Sequence, residues 1–183
     1  AYFRSNTRPY PIKPLVLGLT IPDDQLRDCL LAKNLTSVTQ LQALTCVGVN
    51  NVSGLQHFTE LKSLTLTGGT ALAELSQLKR LTKLSYLDLS NNQLNDSQII
   101  QLDALVMAPG GELKLENNLI TLFSVNTLAT MRQVDKLSLA RNPLGSGLLF
   151  ALFSDGNLVK ELNLAGATLT DPITTLNMLS HHP

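Results

Sequence analysis

The sequence predicts an α/β solenoid: a horseshoe or arc with about six short parallel strands on its concave face and turns or short helices on its convex face. Three observations carry that expectation. A spaced apolar pattern recurs six times along the 183-residue chain. Leucine supplies 40 of the residues, while aromatics make up only 4% and tryptophan is absent, so one side-chain shape fills the interior over and over. The segments between the copies change from turn-like to helical along the chain.

The pattern is fullest at Leu84-x-x-Leu87-x-Leu89-x-x-Asn92-x-Leu94. It returns as Gly110-x-x-Leu113-x-Leu115-x-x-Asn118-x-Ile120, Val134-x-x-Leu137-x-Leu139-x-x-Asn142-x-Leu144 and Val159-x-x-Leu162-x-Leu164-x-x-Ala167-x-Leu169. Upstream stand the shorter Leu61-x-x-Leu64-x-Leu66 and Leu41-x-x-Leu44-x-Cys46. Aligned on positions 44, 64, 87, 113, 137 and 162, the copies step by 20, 23, 26, 24 and 25 residues. These steps fall inside the window of roughly 20 to 29 residues that characterises leucine-rich repeats. Alternate residues of a strand point to opposite sides, so Leu87 and Leu89 face inward while Tyr86, Asp88 and Ser90 face outward. No copy buries its leucines alone; stacking the copies makes one apolar column. The amides of Asn92, Asn118 and Asn142 both donate and accept, which suits a ladder that satisfies backbone groups where the chain leaves each strand. Gly69 and Ala167 hold the equivalent place in the second and sixth copies, so the ladder is expected to weaken towards both ends.

Residues 1–19, with Pro9, Pro11, Pro14, Tyr2 and Tyr10, read as an extended arm without the charged and apolar regions of an export signal. Residues 20–40 read as an N-terminal helical cap. Its helix runs from Thr20 to Ala32, with Thr20 or a neighbour as N-cap, Pro22 in the first turn and Leu26, Cys29 and Leu30 on one face. Residues 41–170 hold the six repeats. The first return segments are short turns, and the later ones have room for helix. Asp96 is the expected N-cap of a helix carrying Ile99, Leu102 and Val106 and closed by Pro109-Gly110-Gly111. Val125, Leu128 and Ala129 suggest a second helix, and Leu148, Leu149, Leu152 and Phe153 a third. Residues 171–183 read as a C-terminal helix or an incomplete repeat, and His181-His182 as an exposed tail.

The opening stretch, Asp24-x-Leu26-x-x-Cys29 followed by Leu44-x-Cys46 and Val52-x-Gly54-Leu55, resembles the N-terminal cap and first repeats of internalin-like leucine-rich repeat proteins of Gram-negative bacteria. The longer downstream repeats resemble the ribonuclease-inhibitor class. The cysteine pair is part of the first likeness. Cys29 lies on the inner face of the cap helix and Cys46 takes a core leucine position, so two readings stand: a disulfide, or two buried thiols. A bond implies an oxidising compartment and an exported protein, periplasmic, secreted or surface-anchored; thiols leave the cytoplasm as the alternative.

Charge and census exclude several functions. Lys+Arg and Asp+Glu both number 14, so the positive excess of a nucleic-acid binder is missing. No apolar run approaches a membrane span, and no direct membrane insertion is expected. Histidines stand only at His57, His181 and His182, with no catalytic pairing around them, and the cysteine spacing matches no zinc pattern. Gly145-Ser146-Gly147 lacks the rest of a phosphate loop. The expectation is a protein that is not an enzyme and carries no cofactor or metal. The outward strand positions remain: a mixed-charge centre of Tyr86, Asp88, Glu112, Lys114, Glu116, Lys136 and Arg141 between flanks of small residues. Extended faces of this kind mostly bind proteins. The favoured function is therefore a protein-interaction module; its alternatives are a structural or assembly domain that uses its ends, and the recognition domain of a larger effector enzyme.

Overall fold

A computed structural model describes residues 18–145 and 159–169 of the chain. Most of the N-terminal arm, the helix expected at Leu148–Phe153 and the whole 171–183 stretch lie outside the described residues.

The chain enters through helix α1 (Asp24–Leu31) and then lays down strands β1 (Ala43–Val47), β2 (Ser63–Thr67) and β3 (Tyr86–Asp88). Helix α2 (Asp96–Ile99) precedes β4 (Val106–Lys114), helix α3 (Val125–Thr130) precedes β5 (Arg132–Ser138), and β6 (Glu161–Asn163) follows. Short 3-10 turns, among them Leu55–His57 and Leu75–Arg80, fill the other connections. Among the described residues the six strands form one parallel sheet in the order β1-β2-β3-β4-β5-β6. Leu44, Leu64, Leu87, Leu113, Leu137 and Leu162 stand in one row across it. This row coincides with the alignment of the repeats on their second leucine. Sequential order means that each strand pairs with the strand of the next copy, and each return segment is the crossover that carries the chain back to the start of its parallel neighbour.

Burial follows the pleat. In β1 Leu44 and Cys46 are buried between exposed Ala43, Thr45 and Val47, and β2 and β3 alternate in the same way. The inward leucines, with Phe58, Leu72, Leu78, Leu94, Ile99, Leu102 and Ile120 from the return segments, make one continuous core. No copy encloses its own apolar side chains, which is why the core runs the length of the sheet.

Three boundaries differ from the sequence expectation. Helix α1 starts at Asp24, with Asp23 rather than Thr20 as N-cap, and Pro22 precedes the helix instead of lying in its first turn. Asp23 wins because its two carboxylate oxygens do two jobs: Oδ1 accepts the Leu26 N–H (2.9 Å), and Oδ2 accepts the Asn50 and Asn51 N–H groups (2.8 and 3.0 Å). The long helix expected after Asp96 is instead four α-residues followed by a 3-10 turn, Ile100–Leu102. Its N-cap is Asn95, in a capping box with Gln98. Val106 belongs to β4, and Pro109-Gly110-Gly111 lies inside that strand as an irregularity of the pairing with β5. Leu105 and Met107 are buried on either side of exposed Val106, and the Ala108 N–H reaches the Leu84 carbonyl at 2.7 Å, so this stretch is bound as sheet. The spacing of Val125 and Leu128 does correspond to helix α3, where both are buried.

Cys29 and Cys46 are joined by a disulfide, with Cα atoms 6.0 Å apart. The bond ties the cap helix to the first strand across 17 positions of chain. The Asp23 hydrogen bonds tie the start of the same helix to the turn that follows the first strand.

Candidate partner-binding face

The seven side chains singled out from the sequence come from three neighbouring strands, β3, β4 and β5, and from the segments that follow β4 (Glu116) and β5 (Arg141). Pairing sets Tyr86, Glu112, Lys136 and Glu161 side by side in one outward row, and Asp88, Lys114, Ser138 and Asn163 in the next. A depression of about 360 Å³ opens over β4, β5 and β6. Glu112, Lys114, Glu116 and Lys136 line it, with Ser138, Glu161 and Asn163 completing the rim and Leu137 and Leu162 in the lining. Tyr86 and Asp88 stand beside it on β3, and Arg141 joins it through Glu116. The outward positions of β1 and β2 carry no charge: Ala43, Thr45, Val47, Ser63, Thr65 and Thr67.

The charges are organised in pairs. Arg141 and Lys136 lie 3.3 Å from the carboxylates of Glu116 and Glu161, respectively. Glu116 also accepts a 2.7 Å hydrogen bond from the Ser138 hydroxyl. The Lys114 ammonium sits over the Tyr86 ring, 5.9 Å from its centroid, at the outer reach of a cation–π contact. The Tyr86 hydroxyl donates to Asp88 at 3.4 Å. Burial, then the Asp88 carboxylate, pushes the Tyr86 phenol above its ordinary value, against the opposing pull of Lys114. Lys114 is likewise raised, first by Tyr86 and then, against the opposing effect of burial, by Glu112, Glu116 and Asp88. At neutral pH the face therefore presents a neutral phenol and fixed charges of both signs.

Three outward positions are not exposed as the alternation suggests: Ser90, Ser138 and Ala140 are buried. Ser90 and Ala140 lie past the ends of β3 and β5, where the chain turns over the asparagines and strict alternation stops. Ser138 is covered by the Glu116 side chain that it holds. Sequence reasoning did not count Glu161, Asn163 and Ser138 as site residues, although their outward register was readable; what was missing was the depression that joins them to β4.

Behind this face the turns are held by side-chain amides. Asn92, Asn118 and Asn142 are buried. Asn118 Nδ2 donates to the Leu89, Leu115 and Glu116 carbonyls, and its Oδ1 accepts the Asn92 and Leu94 N–H groups. Asn92 Oδ1 accepts the Gly69 N–H, and Asn142 Oδ1 the Ile120 N–H. Further towards the N-terminus Asn50, which the motif does not mark, accepts the Thr70 and Ala71 N–H groups. Its position, one residue past the motif site at Val49, hid that role.

No family model matches the chain, and no curated protein matches it. Among solved structures, it is similar to the crystal structure of a plant ice-binding protein at 22% identity, with a TM-score of 0.38, over 72% of this chain and 51% of that chain. The chain thus spans about half the length of that neighbour. A TM-score this low bears on neither fold nor function.

Proposed function

We propose that this chain is a leucine-rich repeat solenoid of an exported protein, and that it binds a protein partner through the outward, concave face of its sheet. One observation carries the reading. The aromatic and charged outward side chains are gathered on adjacent strands around a depression, whereas the outward positions of β1 and β2 are small and uncharged. Aromatic and arginine side chains supply a disproportionate share of interface energy, and rim charges set rate and specificity. The six-copy repeat register supports the leucine-rich repeat assignment, and the Cys29–Cys46 bond supports an oxidising compartment.

The test is capture of partners from the source organism by the wild-type chain, followed by affinity measurement with variants. Tyr86→Ala is expected to weaken the captured partner by about 2 kcal/mol or more at an unchanged melting temperature. Glu116→Lys is expected to weaken it through charge mismatch. Arg80→Ala, in the 3-10 turn between β2 and β3, is expected to leave affinity unchanged. Gln101 is unsuited as a control because its side chain accepts the Leu75 N–H at 3.0 Å. Equal affinities for wild type and Tyr86→Ala would move the docking site from this face to the ends of the repeat array.

A further inference from the structure

We propose that Cys29 is a site of reversible thiol–disulfide exchange, at which an external thiol of the glutathione class bonds to the Cys29 sulfur and displaces that of Cys46 while the cap helix stays docked. The two ends of the disulfide differ in access. Cys46 is 3% exposed, on the inward side of β1 with Leu66 as its neighbour in the sheet. Cys29 is only half-buried, and its Sγ lies 3.2 Å from the carbonyl oxygen of exposed Thr45. Gln42 and Gly48 make their backbone hydrogen bonds to β2 and the segment leading into it, so the Thr45 carbonyl, an odd number of residues away, faces the outer edge of the sheet. One sulfur therefore reaches the open edge of the first strand, and the other is closed into the core.

Access decides which sulfur is attacked. The entering thiolate forms a bond to Cys29 Sγ, the Sγ–Sγ bond breaks, and its electron pair leaves on Cys46, which takes a proton from water. Attack at Cys46 would first require α1 to be lifted, with the fully buried Leu26 and Leu30 drawn out of the core. A thiolate departs slowly into apolar surroundings, so burial of Cys46 slows the exchange without redirecting it. The reverse step needs the cap in place. Asp23 accepts the Asn50 and Asn51 N–H groups at 2.8 and 3.0 Å, and Leu26 and Leu30 pack in the core; neither tie depends on the bond. Cys46 thus stays opposite Cys29, and its thiolate re-forms the disulfide by expelling the bound thiol.

The whole chain, disulfide intact, is incubated with reduced glutathione in native buffer, quenched with acid, and alkylated with excess N-ethylmaleimide in urea. Trypsin cuts after Arg27, Lys33 and Lys62, which puts Cys29 and Cys46 on separate peptides, residues 28–33 and 34–62. Glutathione on 28–33 with maleimide on 34–62 is expected to exceed the reverse labelling about tenfold or more. Removing free glutathione before the quench is expected to clear the adduct and restore the disulfide. A second arm covers reduction that runs through to two thiols: in native buffer Cys46→Ala is expected to take up glutathione from glutathione disulfide about tenfold faster than Cys29→Ala, and at an equal rate in urea. Glutathione on 34–62, even labelling of the two peptides, or equal native rates for the two variants would overturn the assignment to Cys29. A bond that glutathione opens in urea but never in native buffer, or an adduct that persists once glutathione is removed, would overturn the reversible exchange.

Discussion

Asn118 shows how much one side chain does in this fold. Its amide completes five hydrogen bonds, two of them to backbone N–H groups of the preceding copy. Asn118→Ala is therefore expected to strand several buried backbone groups and to cost about 1–3 kcal/mol in urea-induced unfolding. Gly69 makes the opposite case. It occupies the motif's asparagine position, and a consensus argument would restore the amide there. A Cβ at Gly69 would lie 2.3 Å from the Val49 carbonyl oxygen and 3.0 Å from Asn92 Oδ1. Gly69→Asn is expected to destabilise by roughly 1–3 kcal/mol, because the backbones approach too closely for any side chain. A melt showing it more stable than wild type would contradict this account of the turn.

At the scale of elements, neighbouring return segments are clasped by side chains at helix starts. Asp96, the first residue of α2, accepts hydrogen bonds from the Thr121 N–H and hydroxyl and from the Ser124 hydroxyl, all belonging to the next return segment. Burial alone would raise its carboxyl, but these bonds from Ser124 and Thr121 together outweigh it and hold Asp96 below its ordinary 3.8. A carboxyl depressed in the folded state contributes stability above its unfolded value and loses that contribution as pH falls through the folded one. The clasp is thus fully formed at neutral pH and fails only at pH below about 3.8. Denaturant unfolding at a series of pH values is expected to show Asp96→Asn less stable than wild type at pH 7, with a shallower fall of stability in that acid window. Parallel curves for the two proteins would show that Asp96 does not titrate with folding.

For the molecule as a whole, the vulnerable point is the first strand. A strand at the end of a sheet has no neighbour on its outer side, and its leucine column needs a cover there. Helix α1 packs Leu26 and Leu30 into the core, and the disulfide fixes it to β1. A bond closing a loop of this length is worth roughly 2–4 kcal/mol. The Cys29→Ala/Cys46→Ala double variant is expected to lose about that much, measured without reductant, and the wild type to show no alkylatable thiols by mass spectrometry. Since Asp23 still ties α1 to Asn50 and Asn51, the variant is expected to unfold cooperatively. An uncoupled early transition would show instead that the cysteines alone hold the cap.

What the sequence determined by itself was the arrangement that repeats. The spacing of the leucines around Leu87 and its five counterparts specifies strands, their inward faces and their register, because a period of two within each copy and about 24 residues between copies admits one consistent stacking. The outward placement of Tyr86, Glu112 and Lys136 follows from the same alternation. The tertiary structure decided what depends on contacts between copies: Asn95 rather than Asp96 as the cap, Asp96 turned to the next segment, Asn50 serving where the motif has no asparagine, and Gly69 as a point of close approach. It also decided between bond and thiols for Cys29 and Cys46, and joined Glu161 and Asn163 to the charged centre. These are matters of distance across strands, and a one-dimensional spacing holds the order of residues but not which of several neighbours a carboxylate or amide will reach.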